Sequence, residues 1–373
     1  EAVEEAAVEE AAASEAVEEA AAEEAVEEAV VEEAVVEEAA EEAVAEAAGE
    51  VSFLDDASGI VDGHFLSNWE EPAGDYKIAN ITRTLLNAHW VKNSDGFTAA
   101  AENYGVQGDV FAVESESDTT QQLDYLETCI QKGYDAVIVS PITEENLLTG
   151  LKKATEAGIK IINVDTAKIT DEVAEKNGIE ISCFLGSDNV DCGRQGAEYM
   201  AAVLGDQEAN VAIIEGAAGD TCSMARIQGF TEGCEAAGTL TIVASQTGNW
   251  DRMQALDAAT GVLRANPDIR GIYCCNDTMV LGAIQAANDL GYEILTSETI
   301  DKAGQDKTLL LIGTDGIPEA LEAVQNGTLT GTVAQKPYLM GYSAVEAAII
   351  ACNGGEVEDF STPIALIDQA YFG

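Results

Sequence analysis

The sequence is poor in basic residues and has no long apolar segment. Its 373 residues include 17 Lys and Arg against 69 Asp and Glu, which gives a formal net charge of −52. Nucleic acids are bound through basic patches, so this charge argues against DNA or RNA as a partner. No run of about 18 apolar residues occurs, so we expect no membrane-spanning helix. The acidity itself is explained by a need for solubility.

Residues that serve catalysis and metal binding are equally scarce. The chain has two histidines, His64 and His89, and lacks the HExxH, GxSxG and CxxC motifs. Residues 216–219 contain two glycines, but without the spacing of a dinucleotide or phosphate loop. The eight cysteines show no zinc or disulfide pattern, and most lie in apolar runs as expected for small buried hydrophobes. We therefore expect no catalytic centre, no metal site and no cofactor.

The first 49 residues form a segment of very low complexity. Residues 1–50 contain 20 Glu and neither Lys nor Arg, and Glu pairs recur at alternating spacings of four and five. This spacing fits neither a coiled-coil repeat nor a straight helix, so a continuous apolar seam is not expected. Ala and Glu favour a helix, whereas Glu residues four apart repel each other. The pattern predicts a solvated, partly helical spacer over residues 1–49, with a bundle-forming interaction segment as the alternative.

The body of the chain follows a short mixed segment. Residues 50–75 contain turn residues and predict a linker or a strap on the first domain. From Lys77 onward, short apolar runs alternate with helical stretches that often begin at a cap, such as Asp118 or Asp188, and often end at Gly. This alternation predicts an α/β fold of parallel sheets with helices on both faces. Ten strands are too many for one compact unit, so we divide them into two halves of five with a break near Ser187.

The predicted strands are 77–85, 109–113, 135–140, 159–164, 181–186, 210–215, 240–245, 270–275, 308–313 and 329–334. The predicted helices are 95–104, 119–132, 145–157, 190–204, 221–237, 251–265, 277–290, 317–326 and 338–352.

Polar and aromatic residues follow several of the predicted strands. Among them are Arg226, Trp250, Asn276, Asp315 and Gln335. Open α/β sheets bind their ligands outside the carboxyl ends of the strands. Carboxylates and amides bind hydroxyl groups, Arg supplies donors, and Trp can cover the apolar face of a sugar ring. The set therefore predicts a binding site for a neutral polyol.

The order and spacing of these motifs resemble those of the type I periplasmic sugar-binding proteins, most closely the ribose- and allose-binding branch. The resemblance covers about residues 76–373. It implies two doubly wound parallel-sheet lobes that are joined by a three-segment hinge and close on a monosaccharide. The first lobe would be 76–187 plus 336–365, and the second 188–335 plus 366–373. The hinge crossings would lie near residues 187–188, 335–336 and 365–366.

The resemblance also implies a ligand site of twelve residues. These are Asn87, His89, Trp90, Ser140, Asp165, Thr166, Arg226, Trp250, Asn276, Thr314, Asp315 and Gln335. Four of them depart from the family pattern: His89 and Thr314 replace aromatic residues, Thr166 replaces an Arg and Ser140 an Asn. The smaller groups predict a roomier pocket, and hence a hexose, a polyol or a substituted sugar over free ribose.

Structural alternatives exist for several of these residues. Asp165 could be a turn residue and Asp315 a helix cap. Arg226 could pair with Glu215 or Glu232. The two tryptophans could be ordinary core residues, and His89 could line the mouth of the site rather than contact a ligand.

The function implied by the resemblance is that of an extracytoplasmic solute-binding protein. Such a protein captures a monosaccharide or polyol and delivers it to the membrane permease of an ABC importer. We expect a monomer that is lipid-anchored through a processed N-terminus. The alternatives are a sensor module that feeds a chemoreceptor or membrane kinase and, less favoured, a sugar-acting enzyme. A repressor's effector domain is excluded, because its basic DNA-binding head would stand where residues 1–50 carry 20 Glu.

Overall fold

The computed structural model of the protein describes residues 52–56, 58–61, 63–166 and 168–373. Contacts divide the chain into two units, Glu1–Asp55 and Asp56–Gly373. In the first unit, the backbone N–H of Asp55 donates to the carbonyl of Ser52 over 2.9 Å and closes a turn. The spacer or bundle that the sequence predicts for residues 1–49 lies outside the described residues.

The second unit contains two β-sheets, and the first of them has six parallel strands. The strands are β1 (Lys77–Thr82), β2 (Gln107–Ala112), β3 (Ala136–Val139), β4 (Lys160–Val164), β5 (Cys183–Gly186) and β12 (Phe360–Ser361). Their order is β12-β5-β4-β3-β1-β2. All four residues of β3 are buried, which explains why this strand is a continuous apolar run in the sequence.

The second sheet has seven strands. They are β6 (Ala209–Glu215), β7 (Leu240–Thr247), β8 (Ile269–Cys274), β9 (Glu293–Ile294), β10 (Thr308–Asp315), β11 (Gly331–Ala334) and β13 (Ala365–Asp368). The main order is β13-β11-β10-β8-β6-β7, with β9 paired to β10. Five of these strands repeat the order of the first sheet, while β13 runs antiparallel to β11. The predicted pair of doubly wound parallel sheets is thus confirmed.

Ten α-helices connect the strands in the described part of the chain. They are α1 (Ala88–Tyr104), α2 (Thr119–Gln131), α3 (Leu148–Glu156), α4 (Asp171–Asn177), α5 (Asn189–Leu204), α6 (Thr221–Ala237), α7 (Arg252–Ala265), α8 (Asp277–Asp289), α9 (Pro318–Gln325) and α10 (Pro337–Asn353). The predicted caps are confirmed, since Asp118 accepts a bond from Gln121 N and Asp188 accepts bonds from Val190 N and Asp191 N. Among the described residues, no helix combines the length and the apolar character needed to cross a membrane.

All ten predicted strands exist, but four elements are missing from the prediction. These are the short strands β9, β12 and β13 and the seven-residue helix α4. The two halves therefore hold six and seven strands rather than five each. Elements of two to seven residues are too short to develop a hydrophobic period, so the sequence carries little signal for them.

The chain crosses between the sheets three times. It enters the second sheet's lobe after β5, near Ser187, and returns after β11, near Gln335. The third crossing lies at residues 362–364, between β12 and β13. It comes just before the predicted boundary at 365–366, because Ala365 already pairs with Ala334 in the second sheet. We call the two halves the first lobe and the second lobe.

Glycine allows close helix packing at the same place in both lobes. In the second lobe, a Cβ on Gly193 of α5 would stand 1.9 Å from the carbonyl oxygen of Arg226 on α6. In the first lobe, a Cβ on Gly341 of α10 would stand 1.9 Å from the carbonyl oxygen of Asn93 on α1. The backbones therefore touch, and the helix that follows a hinge crossing is pressed against the helix that carries site residues.

The segment before β1 is attached to the first lobe as a strap. The N–H groups of Phe65 and Leu66 donate to the buried carboxylate of Glu346 on α10 over 3.0 and 2.8 Å. Tyr104 donates its hydroxyl to the same carboxylate over 2.6 Å. Trp69 stacks on Tyr104 with ring centroids 4.1 Å apart. These contacts of Phe65, Leu66 and Trp69 are those of a strap on the first lobe.

Candidate functional site

A cavity lies between the lobes, at the carboxyl ends of the strands of both sheets. It is lined by Arg83, Asn87, His89, Trp90, Glu116, Asp165, Thr166, Cys222, Arg226, Trp250, Asn276 and Asp315. Seven of these residues belong to the first lobe and five to the second.

Nine of the twelve residues predicted for the site line this cavity, and Ser140, Thr314 and Gln335 do not. Thr314 lies within β10 and bonds to the hydroxyl of Tyr273 over 2.8 Å. Ser140 follows β3 and is completely buried. Gln335 lies behind the lining residue Asp315 and donates to it from Nε2 over 2.7 Å.

The cavity wall also contains three residues that the sequence argument missed: Arg83, Glu116 and Cys222. Arg83 follows β1 directly, so the rule that binding groups follow strands could have found it. Glu116 and Cys222 carry no comparable signal. All eight cysteines lie in the described residues, none forms a disulfide, and seven are buried.

Two of the lining asparagines are helix caps. Asn87 accepts a bond from His89 N over 3.0 Å, and Asn276 accepts one from Met279 N over 2.9 Å. Each carbonyl oxygen is thereby used by the helix that it begins. The amide NH₂ groups are what these two side chains can offer to a ligand, so both residues would act as donors.

Three lining residues have left-handed backbone conformations. The φ angles are 66° for Asp165, 62° for Trp250 and 130° for Asp315. Such angles are costly for residues other than Gly and concentrate at functional sites. Asp315 is not the cap of α9, because that position belongs to Ile317, and Asp165 is not the cap of α4, because that position belongs to Thr170. In both cases the unusual backbone turns a carboxylate toward the cavity.

The two lining tryptophans come from opposite lobes. Trp250 lies against Gly216, where a Cβ would stand 2.1 Å from the indole ring. Its indole Nε1 is buried and has no hydrogen-bond partner among the described residues. Trp90 packs its ring against that of His89 in an edge-on contact at 4.9 Å. Both rings are therefore part of the cavity wall rather than only of the core.

His89 is bound to a carboxylate of its own lobe. Its Nε2 lies 2.7 Å from Oδ2 of Asp165, and its Nδ1 lies 4.0 Å from Oδ1 of Asp315 in the second lobe. Burial lowers the pKa of His89, but the charges of Asp165 and Asp315 outweigh burial and raise this pKa overall. Burial likewise raises the pKa of Asp165, and the imidazolium outweighs it and holds that pKa below its usual value. Both shifts favour an imidazolium paired with a carboxylate.

Arg226 is fixed by three acceptors. Its Nε donates to Oδ1 of Asn189 over 2.9 Å, and its Nη1 donates to the carbonyl of Cys275 over 2.5 Å and to Asp315 over 3.3 Å. The alternative pairing with Glu215 or Glu232 is therefore wrong. With Nε and Nη1 engaged, Nη2 is the nitrogen through which Arg226 would donate to a ligand.

The cationic groups that line the cavity are all paired with carboxylates. Arg83 lies 3.0 Å from Asp220, His89 lies 2.7 Å from Asp165, and Arg226 lies 3.3 Å from Asp315. Arg83 and Thr166 both donate to the carbonyl of Pro141, over 3.0 and 2.9 Å. Arg83 and Thr166 thus share one backbone acceptor in the first lobe.

Several buried polar atoms around the cavity have no hydrogen-bond partner among the described residues. They are Nδ1 of His89, Oδ1 of Asp165, Nε1 of Trp250, Oε1 of Gln335, Nε of Arg83, and Oε1 and Oε2 of Glu116. Buried polar atoms are nearly always hydrogen-bonded, so such a cluster marks a place that a polar molecule completes. The mixture of donors and acceptors matches hydroxyl groups, which can both donate and accept. No group of His, Cys, Asp and Glu in the described part of the chain is arranged to hold a metal ion.

Comparisons with known proteins agree with this geometry. Residues 78–356 match the periplasmic binding protein domain. The D-allose-binding periplasmic protein of Escherichia coli (strain K12) is 37% identical over 300 residues, which cover 80% of this chain and 91% of that protein. The ribose import binding protein of Bacillus subtilis (strain 168) is 30% identical over 307 residues, 81% of this chain and 92% of the relative.

A solved structure shows the same likeness in three dimensions. The periplasmic solute-binding protein of an ABC transporter from Actinobacillus succinogenes 130z, with bound D-allose, has a TM-score of 0.70 and 31% identity over 79% of this chain and 98% of that one. The solute-binding protein from Bacillus halodurans C-125, with bound myo-inositol, has a TM-score of 0.68 and 26% identity over 80% of this chain and 96% of that one. The chain belongs to the periplasmic binding protein family.

Proposed function

We propose that the cavity captures a neutral monosaccharide or polyol. The observation that carries this proposal is the pairing of Arg83, His89 and Arg226 with three carboxylates. A phosphate or carboxylate ligand needs a surplus of positive charge, and an amine needs a free carboxylate. The remaining lining carboxylate, Glu116, lies 3.7 Å from Arg83, so every charged lining residue has a partner of opposite charge. Such a site is suited to a neutral ligand with many hydroxyl groups.

The lining residues divide into roles by their chemistry. Asp165 and Asp315 accept bonds from hydroxyl groups, and such charge-assisted bonds are stronger than neutral ones. Arg226, Asn87 and Asn276 donate. The tryptophans Trp90 and Trp250 cover the apolar C–H faces of the ring from opposite lobes and exclude water from the polar bonds beside them.

Capture occurs by closure of the hinge. Seven lining residues belong to one lobe and five to the other, so a ligand completes its contacts only when the lobes are together. The ligand therefore stabilises the closed form by its differential affinity for that form. The closed protein then delivers the sugar to the membrane permease of an ABC importer. The protein is extracytoplasmic, like the other members of the periplasmic binding protein family.

The finer parts of this proposal concern assembly, catalysis and attachment. We infer that the protein acts as a monomer, binds no nucleic acid and does not transform its ligand. We further infer that residues 1–49 separate the lobes from a lipid anchor. Light scattering tests the monomer, and mass spectrometry of the N-terminus of cell-derived protein tests the anchor. Recovery of a chemically changed sugar after incubation would replace the binding role with an enzymatic one.

A thermal-shift screen tests the ligand class. The panel contains D-allose, D-ribose, myo-inositol and D-fucose, together with the charged analogues gluconate, glucosamine and glucose 6-phosphate. A ligand at a hundred times its Kd stabilises the folded chain by about 2.7 kcal/mol. We expect one neutral compound to produce this shift, with a hexose or polyol preferred to ribose. A larger shift with a charged analogue would exclude the neutral-ligand proposal.

A matched pair of cap variants then tests the site. Asn276→Ser keeps a good cap for α8 but removes the amide donor, so the affinity should fall at least tenfold while the fold is retained. Asp118→Ser makes an equivalent change at the cap of α2, outside the cavity wall, and should leave the affinity unchanged. Equal binding by both variants would place the ligand elsewhere.

A further inference from the structure

Arg83 is held in place by its own lobe. Its side chain is only 3% exposed, and Nη2 donates to the carbonyls of Pro141 and Ile142 over 3.0 and 3.2 Å. Both carbonyls follow β3 in the first lobe, as Arg83 follows β1. The guanidinium therefore points in a fixed direction, whatever the second lobe does.

Asp220 is held in the same way by the other lobe. It caps α6, and its Oδ1 accepts a bond from Ser223 N over 3.1 Å. Its second oxygen, Oδ2, lies 3.0 Å from Nη2 of Arg83. Oδ1 thus caps α6, while Oδ2 binds Arg83 across the cleft.

The pair joins two lobes whose covalent connection is limited to the hinge segments. Arg83 and Asp220 are 137 residues apart in the chain, and both side chains are about as buried as core residues, at 3% and 5% exposure. In an open arrangement each would be solvated separately. Glu116, in the first lobe, gives Arg83 a second carboxylate, 3.7 Å away, that does not depend on closure.

We infer that Arg83 is a positioning residue for lobe closure, which it stabilises through Asp220 without any ligand. The contact needs no rearrangement within either lobe, because backbone groups already orient both partners. If the charge of Asp220 were lost, Arg83 would keep only the more distant carboxylate of Glu116, at 3.7 Å, and would be less well compensated in the closed cleft. The unliganded protein should consequently spend much of its time closed, and a ligand should enter a cleft that reopens intermittently.

Single-molecule energy transfer on the full chain without ligand tests this inference. Dyes are attached through azide-bearing residues at Glu102 in the first lobe and Glu235 in the second, both exposed. The protein is unfolded and refolded beforehand to remove any sugar that co-purifies. Asp220→Asn keeps the size of the side chain and the oxygen that caps α6. It replaces Oδ2 with an NH₂ group, so both the charge and the acceptor that face Arg83 are lost. We expect it to reduce the ratio of closed to open molecules at least tenfold.

Two further variants separate the ion pair from the cap. Asp251→Asn makes the same change at the cap of α7 in the second lobe and should leave the ratio unaltered. Adding Arg83→Met to Asp220→Asn should cause little further opening, because the interaction is already lost. An unchanged ratio of closed to open molecules in Asp220→Asn would refute the inference. So would a double variant in which the separate effects of Asp220→Asn and Arg83→Met on this ratio simply add. Since no ligand is present, neither result depends on the identity of the sugar.

Discussion

The imidazole of His89 contacts Asp165 at 2.7 Å through Nε2 and faces Asp315 at 4.0 Å through Nδ1. Asp165 belongs to the first lobe and Asp315 to the second, so one ring lies between carboxylates from both halves of the protein. Burial would ordinarily favour a neutral ring, but two nearby negative charges favour a protonated one. Protonation of His89 is therefore favoured most when the lobes are closed and both carboxylates face the ring.

The first prediction concerns the pKa of this imidazole. Opposing carboxylates outweigh burial, so the pKa of His89 should lie above the usual value of about 6.5. The chain has two histidines, which makes NMR titration simple, and His64→Gln identifies the remaining signal. Because the folded pKa is raised, the contribution of His89 to stability is complete below pH ~6.5 and is lost as the pH rises through the folded pKa.

A neutral substitution provides the control for this titration. His89→Gln can still donate to Asp165 but cannot titrate. The stability advantage of the natural chain over this variant should be greatest near pH 6 and should shrink toward pH 9. A titration midpoint below about 6.5 in the folded protein would contradict the electrostatic account.

The second prediction concerns the packing of Trp250. Gly216→Ala would place a Cβ 2.1 Å from the indole ring, so the ring must move. The ring would no longer cover the ligand, and the affinity should fall about tenfold, or ~1.4 kcal/mol. Isothermal titration with the sugar found in the panel measures this loss. Gly261→Ala on α7 meets open space and should leave the affinity intact while stabilising the helix by up to about 1 kcal/mol.

The third prediction concerns the buried carboxylate of Asp277, which lies behind the cavity. It accepts bonds from Gly316 N, Ile317 N and the hydroxyl of Thr332 over 2.7, 2.9 and 2.7 Å. Asp277→Ala leaves three buried donors without an acceptor and should cost about 3–4 kcal/mol in urea unfolding. Asp277→Asn keeps an acceptor and should cost about 1 kcal/mol. Equal losses in the two variants would mean that side-chain volume, not hydrogen bonding, matters here.

Asp277 should also contribute to the pH dependence of stability. Burial and the charge of Asp315 raise the pKa of Asp277 to about 7. A raised folded pKa means that the stabilisation is complete below the unfolded value of ~3.9 and is lost as the pH rises through 7. The loss of stability that Asp277→Asn causes relative to the natural chain should therefore be smaller at pH 8 than at pH 5.

The fourth prediction concerns the strap. Glu346 is fully buried and accepts bonds from Phe65 N, Leu66 N and the hydroxyl of Tyr104. Glu346→Ala should detach the strap, speed hydrogen exchange at the amides of Phe65 and Leu66, and cost about 2–4 kcal/mol. Tyr104→Phe removes the hydroxyl that bonds to Glu346 and to the carbonyl of Gly63 but keeps both amide bonds to Glu346. It should cost about 1–2 kcal/mol and should leave those amides protected. Protected amides in Glu346→Ala would show that the other contacts of the strap, among them the bonds from the hydroxyls of Tyr104 and Tyr342 to the carbonyl of Gly63, are enough to hold it.

Much of the fold was predictable because it depends on local patterns. Strands that are buried on both faces are continuous apolar runs, as in β3 and β10. Caps such as Asp118 and Asp188 act within their own helix, so a few neighbouring residues determine them. The third hinge crossing was displaced by a few residues because β12 and β13 are too short to show a period.

The candidate site was predictable where position after a strand decides the role, and not where charge compensation does. Of the nine predicted residues that line the cavity, Arg226, Trp250, Asn276 and Asp315 were indicated by their positions after predicted strands. The other five were implied by the resemblance to the sugar-binding family. Thr314 was misplaced because its side chain lies within β10 and bonds to Tyr273 instead of facing the cleft. The role of Arg83 in joining the lobes depends on Asp220, which lies 137 residues away in the chain and on the other lobe.

The sequence by itself determined the two doubly wound sheets, the helix caps and the end of each sheet at which ligand groups gather. These features follow from the burial period of single elements and from short-range hydrogen bonds. Only the tertiary structure decided which charges meet: His89 with Asp165, Arg226 with Asp315 and Arg83 with Asp220. The reason is that an ion pair depends on the distance between two groups in space, and closure of the lobes sets that distance for residues that no local pattern connects.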